Sequence, residues 1–228
     1  MKNIIIYLTI IIFSGHVIAQ KNNRIDIGDF EKINIYAGIE LNIIKAKENK
    51  IILSSRNKDN SIFIYKIKNG ILKLKVGLDK KLRLGNIIVD LYYKNEIHGI
   101  NLYQGSNAIL EDTLNQTNLN VKVNEGSSFK GKINNEKLNI QISSGGEVLL
   151  SGKSSVSYIQ ANTGGVCFVE EVSTEQTTIR ANTGSIVHAN ATVLIDAKAS
   201  TAAIIRVHGN PIKTIFKTAL GGSIIKMK

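Results

Sequence analysis

Apolar and polar residues alternate along most of the chain, and the alternation restarts at a near-constant interval. Short strands open at Ile100, Leu119, Leu138, Ile159, Ile179 and Ile195, spaced by 19, 19, 21, 20 and 16 residues. A period of two puts Ile100 with Leu102, Leu119 with Val121, and Leu138 with Ile140 on one face. Asn101, Asn120, Asn139, Gln160 and Arg180 then fall on the other. A corner of small residues follows each strand: QGSN, NEGSS, SSGG, NTGG, NTGS, ASTA and, at 220–223, LGGS. Glycine suits such corners because it tolerates positive φ and close backbone approach. A second apolar strand follows, as AIL, VLL, VCFV, IVHA, IIRV or IIKM. No stretch keeps the 3.6-residue spacing of a useful helix.

A repeat of about twenty residues, with two or three strands and turns between them, predicts an all-β, single-domain parallel β-helix with coils of about 19–21 residues. Coils pair through the backbone ~4.8 Å apart, and stacked amides can hydrogen-bond along the axis. A β-sandwich is the alternative. Corner letters that recur in phase favour the β-helix. On this reading the near-identical IQANTGGVCFV (159–169) and IRANTGSIVHA (179–189) are scaffold corners, and a bound ligand is not needed to explain them. Residues 28–97 are less regular and are expected to form wider opening coils. Turns are expected at Asn49-Lys50, 56–60 and Asn69-Gly70, and an exposed basic loop at 77–85.

The N-terminus adds a compartment. Met1 to Asn3 are followed by an apolar run from Ile4 to Ile18, and Val17-Ile18-Ala19 has the small-residue pattern of a signal-peptidase site. The run is short of the ~20 residues a spanning helix needs. The expected organisation is a signal peptide over 1–19, a short lead-in over 20–29 and one domain over 30–228. No cysteine near the cut provides for lipid attachment. Cys167, the one cysteine, cannot form an internal disulfide and is expected to be a buried small apolar residue.

Net charge is +11 for the whole chain. A basic exported protein suits an anionic glycan or another acidic envelope component, and export argues against nucleic acid. No integral span is expected after signal cleavage, and an anchoring partner is not identified.

The ordered combination of FEKINIYAGIELNI at 30–43, the repeated Gly-Ser and Gly-Gly corners, HGNP at 208–211 and the last GGSII resembles the head GIN domain family. These are autotransporter-adhesin head domains of Bacteroidetes-type bacteria. The resemblance covers about Gly28 to Lys228. It implies a right-handed β-helix with a surface or periplasmic role and no catalytic motif. QGSN at 104–107 and ASTA at 199–202 depart from the family's usual Gly-Ser-Gly corners. The chain stops at Lys228, directly after the last repeat, so no barrel translocator is expected within it.

Catalytic chemistry finds little purchase. Glu111-Asp112 and Glu170-Glu171 sit at the same place in coils three apart, or ~14 Å along the axis. GEVLLSGKS at 146–154 has five residues between its glycines where a phosphate loop has four. His98, His188 and His208 lack close ligand spacing, and Arg206, not His208, is expected in phase with His188. Neither a metal nor a cofactor is expected. Counting four residues from each corner glycine or its equivalent gives Lys130, Phe168, His188, Arg206 and Lys226, alternating with inward Cys167, Val187, Ile205 and Ile225. Lys130, His188, Arg206 and Lys226 therefore form a candidate stripe for an anionic ligand. The same charges could instead serve to keep the strand face soluble.

The leading expectation is a non-enzymatic, exported adhesion or envelope-binding module. The alternatives are a carbohydrate-active β-helix enzyme of lyase or hydrolase type, and a structural protein that associates end to end.

Overall fold

The computed structural model describes residues 24–36, 38–53, 62–77 and 87–227. The expected signal peptide, the start of the lead-in, the turn at 56–60 and nearly all of the basic loop lie outside them. Outside the opening segment each strand pairs with its counterpart one coil on, and the chain winds into a parallel β-helix of about seven turns. No α-helix occurs among the described residues.

One face carries β8 (Gly99–Leu102), β11 (Asn118–Val123) and the second halves of β12 (Ser128–Ile142), β13 (Glu147–Ala161) and β14 (Val166–Ala181). It continues into β16 (Leu194–Ser200) and β18 (Lys213–Ala219). The other face carries β9 (Asn107–Leu110), the first halves of the same long strands, β15 (Ile186–Asn190), β17 (Ile204–His208) and β19 (Ser223–Lys226). A narrow third side holds β10 (Leu114–Asn115), which pairs with Ile133 and Asn134.

The core is a set of stacked columns. Ile100, Val121, Ile140, Ile159, Ile179 and Ala197 lie in register and are buried. This register differs by two residues from the expected one at three junctions: Ile100 meets Val121 and not Leu119, Ile159 meets Ile140 and not Leu138, and Ile179 meets Ala197 and not Ile195. The period of two hides such a slip, because a shift of two keeps every apolar residue inside. The polar column divides for the same reason. Asn120 and Asn139 share one outward row, while Asn101, Gln160 and Arg180 share the next. Amide stacking itself is present: Asn139 Nδ2 donates to Asn120 Oδ1 at 3.2 Å, and Asn101 Nδ2 to Asn34 Oδ1 at 2.8 Å.

The seven corners share one geometry. In Asn162–Gly165, Thr163 (φ 47°) and Gly164 (φ 68°) are both left-handed, and Gly165 N–H donates to the Asn162 carbonyl at 3.0 Å. Two positive φ values closed by such a bond are the signature of a type I′ turn. Gly164 N–H then donates to the Thr183 carbonyl of the next corner at 2.9 Å. Corners therefore bond to one another along the axis. The divergent letters QGSN and ASTA adopt the same turn, through Gln104–Gly105 and Thr201–Ala202.

The opening segment departs from the expected wide coils. β2 (Lys32–Ile35) and β3 (Ile39–Lys45) form an ordinary coil, but β4 (Lys50–Leu53) reverses and pairs antiparallel with β7 (Ile87–Tyr93). β5 (Phe63–Lys68) pairs antiparallel with β6 (Ile71–Val76), and β1 (Arg24–Asp26) with β4. The coil of β6 and β7 lies on one side of β2 and β3, and the coil of β8 and β9 on the other. After Tyr93 the chain must pass the earlier coil to continue. The Gln116 amide secures that passage, donating to the Ile97 carbonyl at 2.9 Å and accepting from Ile97 N–H at 3.2 Å.

Candidate functional site

On the second face the outward row runs Ile109, Lys130, Leu149, Phe168, His188, Arg206, Ile225, one residue per coil. Lys130, His188 and Arg206 thus stand in the expected row, with His188 and Arg206 on neighbouring rungs. Lys130 lies three rungs, or ~14 Å, from His188. Lys226 does not belong to the row. The residue that sets the phase of the last corner is the left-handed Gly221 (φ 76°), and four residues on from it is Ile225. Ile224 therefore takes the inward place expected of Ile225. Lys226 pairs with Val207 instead, and its ammonium lies over the Phe216 ring, 5.6 Å from the centroid.

Arg206 Nη1 lies 3.0 Å from His188 Nε2. A guanidinium can only donate, so Nε2 accepts and the imidazole carries its proton on Nδ1. Nδ1 faces Glu170 Oε1 at 3.9 Å. Burial holds the His188 pKa below its usual value. Glu170 opposes that shift, while Arg206 and His208 add to it. The ring is packed edge-on by Phe168 (centroids 5.0 Å apart) and stacked by His208 (5.4 Å, 27° between planes). The His208 contact was not legible in the sequence. It is a diagonal neighbour two residues beyond the in-register Arg206, within reach of a large ring.

Next to this cluster the strands slip. Leu149 pairs with Phe168 but Ser151 with Glu171, so β14 accommodates one extra residue there. The bulge turns the surface into a shallow groove of about 380 Å³. Ile109, Leu149 and Phe168 form its apolar floor, and Lys130, Lys132 and Glu170 lie around them. Bulges commonly re-aim side chains in this way. Glu170 Oε2, Asn190 Oδ1 and His208 Nε2 are buried beside the groove without a hydrogen-bond partner among the described residues.

The other candidates resolve simply. GEVLLSGKS is extended strand along β13, and Gly152 (φ 115°) packs where a Cβ would run into the Ile133 carbonyl oxygen. Cys167 is fully buried and inward, and burial raises its pKa far above that of a reactive thiol. His98 is exposed, 3.7 Å from Glu96. Asp112 accepts from the Lys45 backbone N–H at 3.0 Å, and Asp196 forms a two-pronged pair with Arg180, both bonds 3.0 Å. No three His, Cys, Asp or Glu side chains gather as a metal site among the described residues.

Solved structures share the whole fold. A Bacteroides fragilis NCTC 9343 protein described as a "putative adhesin" superposes with a TM-score of 0.83 at 16% identity, covering 90% of this chain and 96% of its own. A "putative adhesin" from Parabacteroides merdae ATCC 43184 gives 0.72 at 15% identity, covering 91% and 95%. A "putative lipid binding protein" from Parabacteroides distasonis ATCC 8503 gives 0.68 at 14% identity, covering 91% and 96%. At such identities the likeness shows the fold alone. No curated relative matches the chain. The family described as "Putative auto-transporter adhesin, head GIN domain" matches residues 29–211, and the chain belongs to that family.

Proposed function

We propose that the chain is an exported, non-enzymatic binding module of the cell envelope that holds an acidic glycan along the outward row of its second face. The observation that carries this reading is Arg206. Its guanidinium gives one N–H to a neutral His188, and no carboxylate lies in ion-pair contact with it among the described residues. Lys130 stands exposed four rungs away, ~19 Å along the axis. Cations so spaced are bridged by an extended polyanion and not by a small anion. Between them Leu149 and Phe168, continued beyond Lys130 by Ile109, offer an apolar surface to the carbon faces of sugar rings. Family membership supports a surface role. The non-enzymatic reading is supported by Asp112 and Asp196, whose carboxylates are engaged in holding the scaffold.

The test is retention on beads carrying an acidic polysaccharide. Arg206→Glu and Lys130→Glu should each weaken binding about tenfold, the equivalent of ~1.4 kcal/mol. Unchanged retention in both variants would remove the reading. Release of shortened glycan by the parent protein would replace it with the enzyme.

A further inference from the structure

We infer that the last coil docks on an anionic lipid surface. The first left-handed position of the corner is occupied in the six preceding coils by Gln104, Glu125, Ser144, Thr163, Thr183 and Thr201. In the last coil it is Leu220, in the same left-handed conformation (φ 49°) and 79% exposed. A bulky residue is a poor choice for positive φ. Ile212, at the other end of β18, is 86% exposed. These are the two most exposed large apolar side chains among the described residues, and they bracket a single strand.

Between them β18 presents Lys213 and Lys217, both exposed, and Lys226 lies over Phe216 nearby. Residues 176–228 carry seven Lys and Arg against one acid, Asp196, which is already held by Arg180. Apolar side chains that protrude from turns and are ringed by lysines suit shallow insertion among acidic headgroups.

The other occupants fit less well. A strand added to the free edge of β18 would cover its in-line side chains and leave both turn residues outside. A second copy stacked end to end would set Lys213 and Lys217 against either their own copies or Lys66 and Lys68 of β5, all basic. The lipid inference does not depend on the glycan row, which lies on a different surface.

Flotation with phosphatidylcholine vesicles, with and without phosphatidylglycerol, tests it on the purified chain. The parent should float with the anionic vesicles only. Leu220→Thr and Ile212→Thr, which install a residue type already used at earlier corners or turns, should each weaken binding about tenfold. Lys213→Gln with Lys217→Gln should weaken it and flatten its salt dependence. A parent that fails to float overturns the inference. So does a Leu220→Thr, Ile212→Thr double variant that floats as well as the parent, since charge alone would then suffice. A concentration-dependent dimer that the double variant abolishes would assign the surface to a second copy instead.

Discussion

Arg206 donates to His188 Nε2 at 3.0 Å, and this bond requires a neutral imidazole. Burial, the largest influence on His188, acts in the same direction. The folded state therefore disfavours the proton that the unfolded chain accepts near its ordinary pKa of ~6.5. Stability from this site is fully present above that pH and is lost as pH falls from there toward the lower folded pKa. Melting followed between about pH 7.5 and about pH 5 should show a drop in Tm that His188→Gln reduces. An equal drop in both proteins would remove His188 as its source.

Gly152 is needed for space and for conformation. Its φ of 115° is rare for any L side chain, and a Cβ would meet the Ile133 carbonyl. Gly152→Ala should cost roughly 2–4 kcal/mol, read as a lower denaturant midpoint at unchanged m-value.

Ala202 occupies the left-handed corner place that glycine holds in six other coils, at φ 59°. Relief of ~1–2 kcal/mol of left-handed strain exceeds the ~0.4–1 kcal/mol by which glycine favours the unfolded chain. Ala202→Gly should raise the denaturant midpoint slightly. A lower midpoint would mean that the Ala202 methyl contributes packing.

The corner amides form an axial ladder as well as turning the chain. Asn182 Nδ2 donates to Asn162 Oδ1 at 3.1 Å. Asn182→Ala should cost about 1 kcal/mol, measurable by urea melting, and much less than truncation in the core. Ile159→Ala, which empties part of a fully buried column, should cost about 2–5 kcal/mol in the same assay.

Much of this architecture was legible because the repeat expresses itself in letters that have one physical use. The pairs Thr163-Gly164 and Thr183-Gly184 announce equivalent turns, and inward Ile159 and Ile179 announce a column. What escaped was anything a shift of two residues leaves unchanged. Leu119 and Val121 are equally apolar, so the alternation could not say which one meets Ile100. Gly221 and Gly222 are the same letter, so the phase of the last corner, and with it the place of Lys226, depended on which glycine was left-handed. The opening coil was beyond reach for another reason. Nothing in the composition of β4 or β5 distinguishes an antiparallel neighbour from a parallel one. The His188–His208 stack likewise arises across a diagonal, where interval counting does not look.

The threading of the first coil bears on how such a molecule can change length. β2 and β3 are enclosed between the coil that follows them and the coil after that, so the N-terminal portion closes as one interlocked unit. Beyond β9 each turn is laid on its predecessor in chain order, without passing an earlier one. Duplication or loss of a repeat downstream of Asn118 leaves that unit undisturbed, whereas the same event before Tyr93 would untie it. On this topology a turn can be added or removed without rethreading only toward the end of the solenoid that carries Lys213, Lys217 and Leu220.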